Sequence, residues 1–342
     1  MNGTGVDEGL RLSPDGRPHA PVRCLVLDDW QGPDPATAAE QVRDSLSLTI
    51  GLATQQPPER LRPLLDALTL TLAGPQVAPD DRALVPAEDP EKAYATLTQA
   101  VERNPQASLA LGQLLRQTPS LGTLQGLAAE ASAYSMLLGG TEFAAWLDGR
   151  TTMPATAGGP FVRLERNGGR LSILLDRPDR RNAFSFRMRE ELYEALELAA
   201  LDATIDEVEL TGAGPVFSSG GDLAEFGSAR DLVAAYLVRL DRAPWRLIDR
   251  LRERVTVRVR GAAVGAGIEM AAFAGRVVAA PDTFFLLPEV AMGLVPGAGG
   301  TVSVPRRIGR WRTAWMVLSG ARLDAGTALR WGLIDEIDDH ER

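Results

Sequence analysis

"VTVRVRGAAVGAGIEMAAFAG", residues 255–275, decides the fold. Its first part alternates branched and charged residues, as a half-buried strand does. A glycine turn follows, then an apolar helical run, so strand, turn and helix make one βα unit. The helix carries Glu269 among glycine, alanine and other apolar residues. An unpaired buried carboxylate is costly, so Glu269 needs a partner such as Arg276, a proton or a use. The amides of the first helical turn have no intrahelical acceptors, and the helix dipole adds partial positive charge there. An oxygen acquiring negative charge can be held at such a point.

Two further stretches belong with this one. "LTGAGPVFSSGGDLAEF" (210–226) is a second strand followed by a glycine turn and can supply another free amide. Two amides from separate loops converging on one carbonyl make an oxyanion hole. Glycine also serves tight packing, and that reading stays open for both turns. In "FFLLPEVAMGLVPGAGG" (284–300), Glu289 follows an apolar run and Pro288. Alone it reads equally as a cap or a solvated turn residue. Two glutamates in apolar contexts beside glycine turns suggest a pair sharing one pocket, one ionised and the other protonated near neutral pH.

The pattern changes at mid-chain. After residue 160, short strands ("FVRLER", "RLSILLD", "EVELTG", "VTVRVR") alternate with helices over 186–200 and near 229–250, which predicts stacked units with parallel strands. Before it, apolar spacing is helical from 34 to about 150, in four segments separated by Pro- and Asp-rich breaks. "VRCLVLDD" (22–29) reads as one strand. The expected organisation is a disordered tail (1–20), a mainly helical N-terminal domain (21–150), a linker (151–160) and an α/β catalytic core (161–342).

Composition excludes several chemistries. A 342-residue chain, 45% hydrophobic, can bury a substantial core. A formal net charge of -9 argues against nucleic acid and anionic membrane as partners. No apolar run is long enough to span a bilayer, and the acidic, polar start is unlike a secretion signal. The single cysteine, Cys24, cannot form an internal disulfide and fits a reducing cytoplasm. His19 and His340 lie near the termini, which disfavours histidine-based triads and zinc sites, so no metal is expected. Lys92 is the only lysine, so no P-loop is present, and no dinucleotide fingerprint is complete. Carboxylates, arginines, hydroxyls and backbone amides remain for the chemistry.

From about 161 to 338 the chain resembles the crotonase (enoyl-CoA hydratase/isomerase) superfamily. The motifs, in family order, are "LDRPDRRNAFS", "PVFSSGGDLAEF", "RGAAVGAGIEMAA", "FLLPEVAMGLVPGAGGTVSVPRRIG" and "LSGARLDAGTALRWGLIDEI". The resemblance implies a ββα spiral that binds an acyl-CoA thioester, with no cofactor beyond the coenzyme A of the substrate. Its thioester oxygen would lie between the amides of Gly221 and Ala266. Arg180, Arg181, Asn182 and Ala183 fall where family members touch the CoA nucleotide, and Arg187 could add a further cation for the phosphates. Gly220, Asp222, Leu223, Gly265 and Gly267 flank the same contacts. The family's catalytic glutamates correspond to Glu269 and Glu289: Glu269 would help activate water, and Glu289 would exchange the α-carbon proton.

The chain departs from the family in three ways. Gly275 stands where members commonly have an aspartate. The match stops soon after "GLIDEI", without the usual C-terminal helices, and a helical N-terminal half is expected to pack on the core in their place. That layout resembles the cofactor-independent dioxygenase branch acting on dihydroxyphenylacetyl-CoA, whose oxygen chemistry needs no paired acids. Retention of both glutamates favours a hydratase; a cytoplasmic location is expected from the single cysteine, and a trimer or hexamer by resemblance. The alternatives are another crotonase-type reaction (isomerase, oxygenase, decarboxylase or hydrolase) and a non-catalytic acyl-CoA-binding protein.

Overall fold

A computed structural model describes residues 10–78, 80–150 and 159–338. The described part of the expected tail forms a small antiparallel hairpin, β1 (Arg11–Leu12) with β2 (Pro18–His19). Residues 1–9, and 151–158 of the expected linker, lie outside the described residues.

The N-terminal half is not all-helical, which corrects the sequence expectation. Strands β3 (Val22–Val26), β4 (Leu48–Ala53), β5 (Leu70–Ala73) and β6 (Leu84–Pro86) form a four-stranded parallel sheet in that order. Helices α1 (Pro35–Asp44) and α2 (Arg62–Ala67) connect its first strands. The first two segments read as continuous helices therefore each turn into a strand, "LTIGLA" and "LTLA". Every residue of both strands is buried, so the period-of-two alternation that marks a half-buried strand is absent. Four helices follow: α3 (Pro90–Arg103), α4 (Pro105–Gln117), α5 (Thr123–Leu138) and α6 (Thr141–Asp148). Prolines at the first helical position open α1, α3 and α4, and the side chains of Asp34 and Asp89 cap α1 and α3.

The second half alternates as expected. Its elements are β7 (Val162–Asn167), β8 (Arg170–Leu175), α7 (Phe186–Leu201), β9 (Glu207–Gly212), α8 (Leu232–Asp241), α9 (Pro244–Arg250) and β10 (Val255–Val259). Pro244 ends the expected single helix near 229–250 and opens α9. Then come β11 (Ala262–Val264), α10 (Ala266–Ala271), β12 (Arg276–Ala279), β13 (Phe284–Leu286), α11 (Gly300–Ile308), α12 (Arg310–Ser319), β14 (Leu323–Asp324), α13 (Ala325–Trp331) and β15 (Glu336–Ile337). A six-stranded sheet runs β15-β12-β10-β9-β8-β7, parallel except for the β7–β8 hairpin. A second sheet, β11-β13-β14, stands beside it, as a ββα spiral requires. Burial alternates along β8, β9 and β10, and the buried side of β8 faces α7.

The two halves share one apolar core. Leu48, Leu111, Leu127 and Tyr134 from the first half belong to the same buried cluster as Phe273, Val302 and Met316 from the second. Helix α5 packs on α8 and α11, α12 on α3 and α4, and α6 on the 3-10 turn Glu289–Met292. Thr118 Oγ1 donates to the Thr301 carbonyl at 2.6 Å, and Thr123 Oγ1 to Asp249 at 2.5 Å. Among the described residues, no helix is long and apolar enough to cross a membrane.

Candidate active site

Both glycine turns meet at one point. Strand β11 ends at Val264, and Gly265 turns the chain into α10 with φ 48° and ψ -123°, a conformation that favours glycine. A β-carbon at Gly265 would lie 2.6 Å from Glu289 Oε1, so the carboxylate of Glu289 rests directly on this turn. In the other turn Gly220 has φ 89°, and a β-carbon there would lie 3.0 Å from the Val264 carbonyl oxygen. The two turns thus touch backbone to backbone. The bridge between Phe184 and Gly221 uses the Gly220 carbonyl and the Asp222 amide and spares the Gly221 amide. Ala266 is the first residue of α10, and its amide lies outside the helical ladder. The Phe226 ring covers Gly221 on one side.

The two glutamates predicted as catalytic are both buried, Glu269 2% exposed and Glu289 8%. Glu269 Oε2 accepts the amides of Ala298 at 2.7 Å and Gly300 at 2.9 Å. Burial pushes its carboxyl up to about 7, against the pull of those amides and the charge of Arg239. Glu289 Oε2 is buried with no hydrogen-bond partner among the described residues. Burial first, then the charges of Glu269 and Glu130, hold the Glu289 carboxyl well above the usual carboxylate range. The anchored acid is therefore the easier to ionise, and the unpartnered one keeps its proton. Arg276 pairs with Glu336 at the surface, so it is not the partner of Glu269.

Three site residues escape the sequence reading. Glu130, 2% exposed on α5, accepts the Gly299 amide at 2.6 Å and the Thr301 amide at 2.8 Å. Tyr134, one turn along α5, packs on the 296–300 loop, where a β-carbon at Gly297 would meet its ring at 2.5 Å. Arg239 of α8 lies over that ring, 4.1 Å from its centroid. Glu130 carries the same signal as Glu269, an acid inside an apolar helix.

The predicted CoA-contact residues divide into two groups. Gly220, Gly265 and Gly267 form the touching turns; a β-carbon at Gly267 would lie 3.0 Å from Ser218 Cβ. Leu223 is exposed just beyond them. Arg180 ends a 3-10 turn, and Arg181 and Asn182 adopt left-handed φ of 53° and 52°. This loop joins the Gly220 turn through Ser219 N–H to the Arg181 carbonyl and Ser218 Oγ to the Asn182 carbonyl, each 2.9 Å. The Asn182 side chain donates to Ala213 and Val216 carbonyls and accepts the Arg177 amide, so it holds the loop itself. Asp222 is buried in an ion pair with Arg177 at 2.5 Å. Ala183 is buried; Arg187 pairs with Glu191 at 2.7 Å and stacks on Phe161.

A model of the enoyl-CoA hydratase/isomerase family matches residues 165–342. The chain is 36% identical over 169 residues to the 2,3-dehydroadipyl-CoA hydratase of Escherichia coli (strain K12), covering 49% of this chain and 65% of that protein. It is 35% identical over 186 residues to the 1,2-epoxyphenylacetyl-CoA isomerase of the same organism, covering 53% and 71%. A solved enoyl-CoA hydratase/isomerase from Mycobacterium paratuberculosis superposes with a TM-score of 0.50 at 29% identity, covering 53% of this chain and 74% of that one. The chain spans about two thirds of the length of the first relative.

Proposed function

The chain belongs to the enoyl-CoA hydratase/isomerase family, and on that premise we propose that it adds water across the 2,3-double bond of an enoyl-CoA thioester, or removes it in reverse. One observation carries the reading: two buried glutamates, one anchored on amides and one with an unpartnered oxygen, stand beside two touching glycine turns. Glu269 takes a proton from water as the water oxygen bonds to C3. The π electrons shift towards the thioester, whose oxygen gains negative charge between the Gly221 and Ala266 amides. Glu289, which keeps its proton to higher pH, protonates C2, and the proton held by Glu269 passes back to Glu289 by way of solvent to reset the pair. Water and enoyl thioester become a 3-hydroxyacyl thioester, with no electrons exchanged and no cofactor required.

Arg180 and Arg181 provide cationic contacts to the CoA phosphates, on a loop bonded to the Gly220 turn. Residues 21–150 and 161–342 act as one catalytic unit, in a cytoplasmic homo-oligomer. Crotonyl-CoA tests the proposal: its enoyl absorbance should fall without oxygen uptake. No conversion of short or medium enoyl-CoA esters would remove the hydratase reading. Double-bond migration without water gain would favour the isomerase reading.

A further inference from the structure

Glu130 lies on a helix of the N-terminal half, outside residues 165–342 of the family match. It is held by three donors: Gly299 N–H on Oε1 at 2.6 Å, and Thr301 N–H at 2.8 Å and Thr301 Oγ1 at 2.7 Å on Oε2. The neighbouring amides, Ala298 and Gly300, both donate to Glu269 Oε2. Four consecutive backbone amides at the start of α11 thus alternate between two carboxyl groups from different halves of the chain. Orphan amides at a helix start are ordinarily taken by a local cap or by water. Here an acid brought in from α5 takes one set and leaves the other aimed at Glu269. Gly299, at φ 94°, adopts the left-handed backbone this alternation needs.

The surroundings favour a specific role over general packing. Thr118, just before α5, takes the Thr301 carbonyl, so the turn is gripped from the N-terminal half on both its amide and carbonyl sides. A β-carbon at Gly300 would lie 2.6 Å from Glu269 Cγ, which leaves the turn and the Glu269 side chain no slack against each other. A shift of the turn must therefore move the carboxylate.

We propose that Glu130 is a positioning residue of the catalytic centre, fixing the 298–301 turn so that its remaining two amides hold the Glu269 carboxylate in line with the attacking water. The proposal rests on the hydration reading for its catalytic consequence, but its geometric part does not. The N-terminal half thereby completes the active site as well as covering it.

A double-mutant cycle tests it in the full chain. Glu130→Gln keeps length and one accepting oxygen but presents an amide N–H₂ to a backbone donor. It should lower kcat on crotonyl-CoA by about 10²-fold, the scale of a small misplacement, with the KM and the Kd of saturated butyryl-CoA within about threefold of wild type. In a Glu269→Gln background the same change should cost less than about threefold, because Glu130 acts only through Glu269. Equal losses in both backgrounds, or unchanged kcat in the single variant, overturn the proposal. If Glu130→Gln fails to fold, Thr301→Val runs the same cycle, removing one donor to Glu130 and none to Glu269; smaller but equally non-additive losses are expected, and additive ones overturn it. Should the wild type leave crotonyl-CoA untouched, the hydration reading falls and amide exchange decides the geometry. Faster exchange at Ala298 and Gly300 in Glu130→Gln supports the positioning role, and unchanged exchange at those two amides refutes it.

Discussion

Glu269 and Glu289 differ in what surrounds their oxygens, and the proposed roles rest on that difference. Two amides stabilise charge on Glu269, while Glu289 Oε2 has no donor among the described residues. Glu289→Gln keeps the volume and removes the proton, so it should lower kcat by about 10²–10⁴, the usual contribution of a general acid–base group. A steady-state assay on crotonyl-CoA showing near-native rate would remove Glu289 from the chemistry. The buried acids also set the pH dependence of stability. Folding raises the Glu269 carboxyl from 4.5 to about 7 and that of Glu130 to about 8. A group raised on folding binds its proton more tightly in the native state. Its stabilising contribution is full below about pH 4.5 and is lost as pH rises through 7 to 8. Calorimetry should therefore show Tm contributions declining across that window, with a shallower decline for Glu130→Gln. Equal slopes would contradict the burial of Glu130 as a titrating group. Glu269 was legible in the sequence because an acid among glycines and alanines has no ordinary explanation. Glu130 shows the same anomaly, but its partners lie far along the chain, at Gly299 and Thr301, where no local spacing points.

At the scale of elements, the proposed mechanism leans most on the β11–α10 turn. Ala266→Pro deletes the amide proposed to hold the thioester oxygen, so a folded variant should lose turnover while still binding acyl-CoA. A folded and fully active variant would remove this position from the oxyanion site. The glycine that replaces the family's usual aspartate near the end of this helical stretch has a structural reason. Gly275 donates its amide to the Arg252 carbonyl at 2.9 Å, and a β-carbon there would lie 2.3 Å from that same oxygen. Gly275→Ala should destabilise the protein by about 1–3 kcal/mol, as overpacked sites do, read as a lower midpoint in urea; an unchanged midpoint would mean the 252–275 contact yields freely. Strands β8, β9 and β10 were legible because burial alternates along them, whereas the short β11 and β12 are buried almost throughout and carry no such imprint. The parallel strands β4 and β5 are buried on both sides, so their residues resemble the apolar helices preceding them.

At the scale of the whole molecule, residues of both halves pack around the candidate site. Tyr134 packs on the 296–300 loop, α6 on the turn that carries Glu289, and Glu130 on the start of α11. Periodicity could show that the first half contains helices but not where they dock, since docking depends on contacts far apart in the chain. A chain starting at residue 159 would expose the apolar faces of α11 and α12 and leave the 298–301 turn without Glu130. It should be insoluble, or fold without activity; a soluble and fully active product would show that the first half is an independent module. The central claim, that this two-part site adds water to an enoyl thioester, is tested most directly by isotope. Full-length protein is incubated with crotonyl-CoA in oxygen-18 water, and the thioester product is read by mass spectrometry. The predicted result is a 3-hydroxybutyryl thioester carrying one solvent-derived oxygen at C3, with no molecular oxygen consumed. Unreacted crotonyl-CoA, or a product without solvent oxygen on carbon, would contradict it.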